Sequence, residues 1–384
     1  MRAVAIAVLT FTTVLGAQQT PYPIRSATLL PKIEGDNPEG RLAGVSMMVV
    51  ANTGRIYVLE GRPCTVKMFD PAGKFIKSFA RAGDGAGQCV RPMGLRMDDT
   101  SVTIVDAGAL PARGTGAEAP APPKPPRLVA FSLDGKTLGV KTMTAQDVTQ
   151  RPFRGGTRVG AGMSGKTRVV TILKPGAAAP DTLCRIPLDL ATIERSGRSG
   201  MGVSGFGDGG AYAVSGDSLL VHVDGYTGIV KWYAVTETGA ELKRTENMGM
   251  TGTPVSAIDV ADRVDKMTRT MRIPGPDGTP QPMPVGSIKM TDAPAYSSIA
   301  TTLMFGSDGS LWISSPRRAL YMTGDPNQRY LDVKVTYTVF PPSGAPYAVR
   351  LPVSFIGVKV IGDKIYGYTE AGGGVIAIYQ LGAP

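Results

Sequence analysis

Histidine is almost missing from this chain: His222 is the only one, alongside three cysteines and two tryptophans in 384 residues. That scarcity excludes His-rich and four-cysteine zinc sites, paired Cys-x-x-Cys clusters and any mechanism that needs two imidazoles. Beyond the N-terminus no apolar run approaches the roughly 20 residues of a membrane-spanning helix. What the chain has in surplus is punctuation, with 49 glycines and 31 prolines, which excludes a coiled coil or helical bundle. Hydrophobic residues at 42% suffice for a buried core, and 384 residues exceed one ordinary single-core domain. Two domains, a large barrel or a repeat architecture remain.

Met1-Arg2 is followed by an uncharged apolar run from Ala3 to Leu15 and the small pair Gly16-Ala17. A short basic start, a hydrophobic stretch of this length and small residues after it read as a signal peptide over residues 1–17. The expected localisation is secreted or periplasmic. The formal charge of +10 is scattered, its densest cluster being the pair Arg317-Arg318. Nucleic-acid footprints gather charge on one face, so no nucleic-acid partner is expected.

From residue 54 onward, short runs of Val, Ile, Tyr and Phe are punctuated by Gly and Asp every eight to twelve residues, the grammar of consecutive antiparallel strands. The phrases recur. MFDPAGK at 68–74 matches AFSLDGK at 130–136, and ANTGRIYVL at 51–59 matches GSDGSLWIS at 306–314. A period of about 40–45 residues with four strands per unit is the mark of propeller blades. The layout predicts an all-β, six-bladed β-propeller over residues 18–384. Its blades start near residues 43, 92, 156, 210, 300 and 354, with the third using strands 156–162, 166–173, 181–187 and 190–196. The last blade is one strand short, and Ile24–Leu30 is apolar enough to close the ring by supplying it.

Two insertions interrupt the period. The Pro-rich stretch 107–126 cannot be a sheet interior, because proline lacks the ladder donor. The second, 248–295, contains Thr253-Pro254 as a cap and first helical residue. Ala257, Val260, Val264, Met267 and Met271 follow at helical spacing, which predicts one amphipathic helix over 254–271. The following IPGPDGTPQPMPVG reads as loop.

The run from Gly54 to Leu95 resembles the NHL-like six-bladed β-propeller proteins that bacteria export. The matching parts are Gly54–Leu59, Val66–Asp70, Gly73–Phe75, Phe79–Gln88 and Pro92–Leu95. The resemblance implies a fold, not a reaction.

In such a blade the loop between the second and third strands emerges on the same face as the connector to the next blade. Arg62, Arg91, Tyr226 and Arg317 are therefore the expected ligand-binding residues, as anion and aromatic contacts. Cys64 and Cys89 share that face and are the disulfide candidate; two free thiols are the other reading. His222 sits in the alternating strand SLLVHVD as a structural residue, and no catalytic set can be completed around it. The glycine strings match no phosphate loop, and no cofactor or metal is called for. The expected function is a binding or scaffold module for a peptide, glycan or envelope component. The alternative is a metal-dependent lactonase- or lyase-type propeller enzyme.

Overall fold

The computed structural model describes residues 21–30, 38–61, 63–108, 125–144, 147, 150–152, 158–164, 167–187, 210–215, 219–224, 227–235, 240–250, 253–254, 272–274, 280–282, 296–297, 302–315, 334–352, 354–369 and 375–383. They form an all-β, six-bladed propeller. Each blade is an antiparallel sheet running outward from its innermost strand.

The first blade is Met47–Val50, Ile56–Gly61, Cys64–Phe69 and Phe75–Phe79; the second is Pro92–Met97, Ser101–Asp106, Arg127–Ser132 and Thr137–Thr142. The fourth is Gly210–Ser215, Leu219–Asp224, Ile229–Val235 and Ala240–Asn247. The fifth is Thr302–Phe305, Leu311–Ser314, Lys334–Phe340 and Tyr347–Pro352. The sixth holds Phe355–Ile361, Lys364–Thr369 and Val375–Leu381, with Ala27–Leu29 hydrogen-bonded antiparallel to the last of these. Just before it, Ile24–Arg25 runs parallel to Tyr347–Pro352 of the fifth blade.

Side chains alternate along a strand, and each blade uses both faces. Tyr57 and Leu59 pack toward the second blade with Val102, Ile104, Val129 and Phe131, while Ile56 and Val58 pack toward the sixth with Tyr366, Ile376 and Ile378. Leu220 joins Val159, Val170, Ile172 and Leu183 of the third blade, and its neighbours Val221 and Val223 meet Leu311, Ile313 and Phe340 of the fifth. Trp312, Tyr337 and Val339 complete the circuit against Phe355, Ile365 and Tyr379. Each such buried aliphatic or aromatic side chain contributes about 1.5–3 kcal/mol.

The contact between the second and third blades is different, being organised by one carboxylate. Asp147 is buried and ion-paired with Arg158 of the third blade and, at 3.4 Å, with Lys141 of the second. Its carbonyl accepts a 2.8 Å hydrogen bond from Arg96.

The recurring phrases make recurring turns. Gly73 N donates to Asp70 O, and Lys74 N to the Asp70 carboxylate at 2.8 Å; Gly135 N donates to Ser132 O, and Lys136 N to the Ser132 hydroxyl at 3.1 Å. Gly73 and Gly135 have φ of 87° and 76°, which an L side chain resists.

The structure departs from the sequence expectation in three places. The third blade is Gln150–Pro152, Arg158–Ser164, Thr167–Leu173 and Asp181–Pro187, so the strand expected to be innermost is the second one. Its innermost strand is short, polar and ends in proline, and carries no alternating apolar signal; the expected strand 190–196 lies outside the described residues. Thr253 and Pro254 do not cap a helix but pair antiparallel with Ser297 and Tyr296. Local capping chemistry there yields to a partner strand distant in sequence, and 255–271 lies outside the described residues. Within the stretch expected as loop, Pro274 pairs with Pro280 and Ile273 with Gln281, a two-stranded ribbon starting at Arg272. Among the described residues both strands are edge strands, where proline is tolerated. The segments 1–20 and 109–124, which hold the expected signal peptide and most of the Pro-rich insertion, lie outside the described residues.

Candidate functional site

The first and second blades meet at one end through the Gly83–Arg91 connector, which a disulfide and several hydrogen bonds tie down. Cys64, at the start of a third strand, is disulfide-bonded to Cys89 with their Cα atoms 6.0 Å apart. Both side chains are buried. Arg81–Ala82 runs parallel to Gln88–Cys89, and the Gln88 side chain accepts from Gly85 N at 2.8 Å, so the loop closes on itself.

Asp106, at the end of the second blade's second strand, lies wholly inside. Its carboxylate accepts from the backbone of Arg91 at 2.8 Å, Val90 at 3.1 Å and Gly108 at 3.2 Å, and from Arg127 Nε at 3.0 Å. Burial alone would raise the Asp106 pKa; these hydrogen bonds outweigh it and hold the carboxyl below its ordinary value. The Arg127 guanidinium then spans the connector, donating to Asp84 O at 2.5 Å, Gly83 O at 3.1 Å and Gln88 O at 3.2 Å.

On this base stands a small exposed crest. Met47 begins the innermost strand of the first blade, and its sulfur accepts from Leu95 N of the next blade at 3.1 Å. Val90 is 44% and Met93 65% exposed, with the exposed Arg91 near them in sequence. Val90 and Arg91 are thus held in water at the end of a cross-linked loop, with Met93 on the strand that follows.

At the opposite end of the sheets, Asp98 caps its turn by accepting from Thr100 and Ser101, which holds its carboxyl low against the opposing effect of burial. Lys359, on the sixth blade's innermost strand, has its pKa pushed down by burial, partly countered by Asp99. Among the described residues no three His, Cys, Asp or Glu side chains gather as a metal cluster would.

Of the four residues expected to bind ligand, Arg91 is placed on this crest. Arg62, Tyr226 and Arg317 lie outside the described residues. His222 is buried on its strand opposite Tyr212 and Lys231, and Cys184 lies on the third blade's outermost strand. Sequence reasoning missed Asp106, Arg127 and Asp147. The signal for Asp106 was an acid ending an apolar strand in SVTIVD just before an insertion, where the backbone leaves the ladder and needs an acceptor.

No protein-family model and no curated protein matches the sequence. Among solved structures, a Bacteroides fragilis protein described as exported aligns over 93% of this chain and 96% of its own, at 10% identity and a TM-score of 0.47. A DUF4221 family member from Bacteroides vulgatus aligns over 95% and 99% at 8% identity and a TM-score of 0.44. The calcium-binding protein regucalcin from Agrobacterium tumefaciens aligns over 93% and 95% at 10% identity and a TM-score of 0.40. Likenesses this distant transfer no ligand, activity or partner to this chain.

Proposed function

We propose that this chain is an exported propeller that serves as a binding or scaffold module for a peptide, glycan or envelope component. The carrying observation is the exposed Val90 and Arg91 on a connector braced by a disulfide and a buried ion pair, with exposed Met93 and Met47 on the strands that begin the second and first blades. A rigid base lowers the ordering cost of binding, and the mix of apolar and cationic side chains suits an amphipathic, partly anionic ligand.

Export accounts for the buried disulfide, since such bonds persist in oxidising compartments, and for the apolar start of residues 1–17. The NHL-like grammar of Gly54–Leu95 supports the same assignment. Residues 18–384 are read as a single propeller unit whose ring is closed by Ala27–Leu29; their pairing with Tyr379–Leu381 supports this. Arg62, Tyr226 and Arg317 would extend the site from neighbouring loops on the same face.

The test is calorimetric titration with muropeptides, acidic peptides and anionic oligosaccharides, run in parallel on the wild type and on R91E and M93E. Binding by the wild type that weakens at least about tenfold in both variants, roughly 1.4 kcal/mol, supports the proposal. Binding that ignores both substitutions places the site elsewhere.

A further inference from the structure

The outermost strand of a blade presents unpaired backbone groups, and such edges recruit other chains unless they are covered or charged. Among the described residues three blade edges are managed in one of these ways. The fifth blade's edge is covered by Ile24–Arg25, and the first blade's outer strand packs against the turn Pro38–Gly40. The fourth blade's edge carries Glu241, Lys243, Arg244 and Glu246.

The second blade's edge, Thr137–Thr142, is managed in neither way. Its sequence TLGVKT holds one charge, and Leu138 and Val140 are 58% and 43% exposed. A Cβ added at Gly139 meets nothing. Among the described residues no strand pairs on its outer side. The hydrogen bond from Met143 N to Pro126 O sets the ladder's phase. With Thr142 opposite Arg127 and Val140 opposite Val129, the alternation of bonded and non-bonded pairs turns the amides and carbonyls of Val140 and Thr142 outward.

We propose that this edge docks an extended, acidic polypeptide segment as an added strand of the second blade. The fifth blade shows the mode within the same molecule, since its four strands accept Ile24–Arg25 as a fifth. Main-chain bonds supply affinity, and alternate side chains supply selectivity. The charge fits an acidic partner: exposed Lys136 precedes the strand, and Lys141 within it stays exposed beside its ion pair with Asp147, on a chain of net charge +10.

The test uses a synthetic peptide of alternating valine and glutamate, with a control carrying lysine for each glutamate. Hydrogen exchange is read at the Val140 and Thr142 amides. The acidic peptide should slow both by at least about tenfold, and the lysine peptide should not. Val140→Pro removes only an outward donor and should abolish binding; should it fail to fold, Leu138→Lys serves instead. R91E and M93E should leave this binding unchanged, which separates it from the site on the crest. Equal binding of both peptides, unprotected Val140 and Thr142, or retained binding in both edge variants overturns the proposal. Self-association abolished by Leu138→Lys also overturns it, making a second copy the occupant.

Discussion

Asp106 and Arg127 stand opposite each other on adjacent strands, Oδ2 to Nε 3.0 Å, and flank the Pro-rich insertion at its two ends. Together they accept from or donate to five backbone positions between Gly83 and Arg91. The pair is thus both the clamp at the base of the insertion and the floor of the candidate site.

Replacing one partner strands the other in a buried position. Arg127→Met should cost about 3–5 kcal/mol, measured by urea denaturation. A loss near zero would mean that the connector is held by the disulfide alone.

Acid should weaken the fold in a definite window. Asp98, Asp106 and Asp147 are all held below the ordinary carboxylate range: burial opposes this, and hydrogen bonds from neighbouring amides, hydroxyls or arginines overcome it. Groups with depressed folded pKa values stabilise above their unfolded value of about 3.9 and lose that contribution as pH falls below it. Stability from these groups should therefore be flat above about pH 5 and fall below about pH 4. In Asp147→Asn the acid slope should shrink by about one proton, as read from melting temperature against pH.

Cys64 and Cys89 close a loop of sequence separation 25. The double alanine variant should lose about 2–4 kcal/mol, and reductant should then have no further effect. Wild type in denaturant plus reductant should fall to the same midpoint.

Two glycines offer a matched steric contrast. A Cβ at Gly367 would sit 2.1 Å from Ile356 O and 2.4 Å from the Phe355 ring, whereas one at Gly139 meets nothing. Gly367→Ala should cost about 1–3 kcal/mol or more, and Gly139→Ala should stay within about 0.5 kcal/mol of wild type. Equal effects would mean that the sixth blade relaxes around the added methyl.

Much of the blade plan was legible because its signals are local. IYVLE, TVKMF and LWIS alternate or run apolar between Gly and Asp turns, and Gly73 and Gly135 mark turns that only a left-handed residue closes easily. The third blade was misaligned by one strand because Gln150–Pro152 has no apolar alternation to read. Thr253-Pro254 reads as a helix start, yet these two residues pair with Tyr296–Ser297, a partner distant in sequence. At the site, Arg91 was legible as an exposed cation on a connector. Asp147 was not, since its partners Arg96, Lys141 and Arg158 come from two different blades.

The amino-acid sequence by itself determined the strands, their turns and their grouping into repeating sheets, because side-chain alternation and turn chemistry act over a few neighbouring residues. Only the tertiary structure decided which carboxylates are buried, that Ile24–Arg25 attaches to the fifth blade, and which sheet edge has no partner strand among the described residues. Those outcomes depend on bringing distant segments together around a ring, and the energy of a buried charge or an unpaired edge exists only once its surroundings have formed.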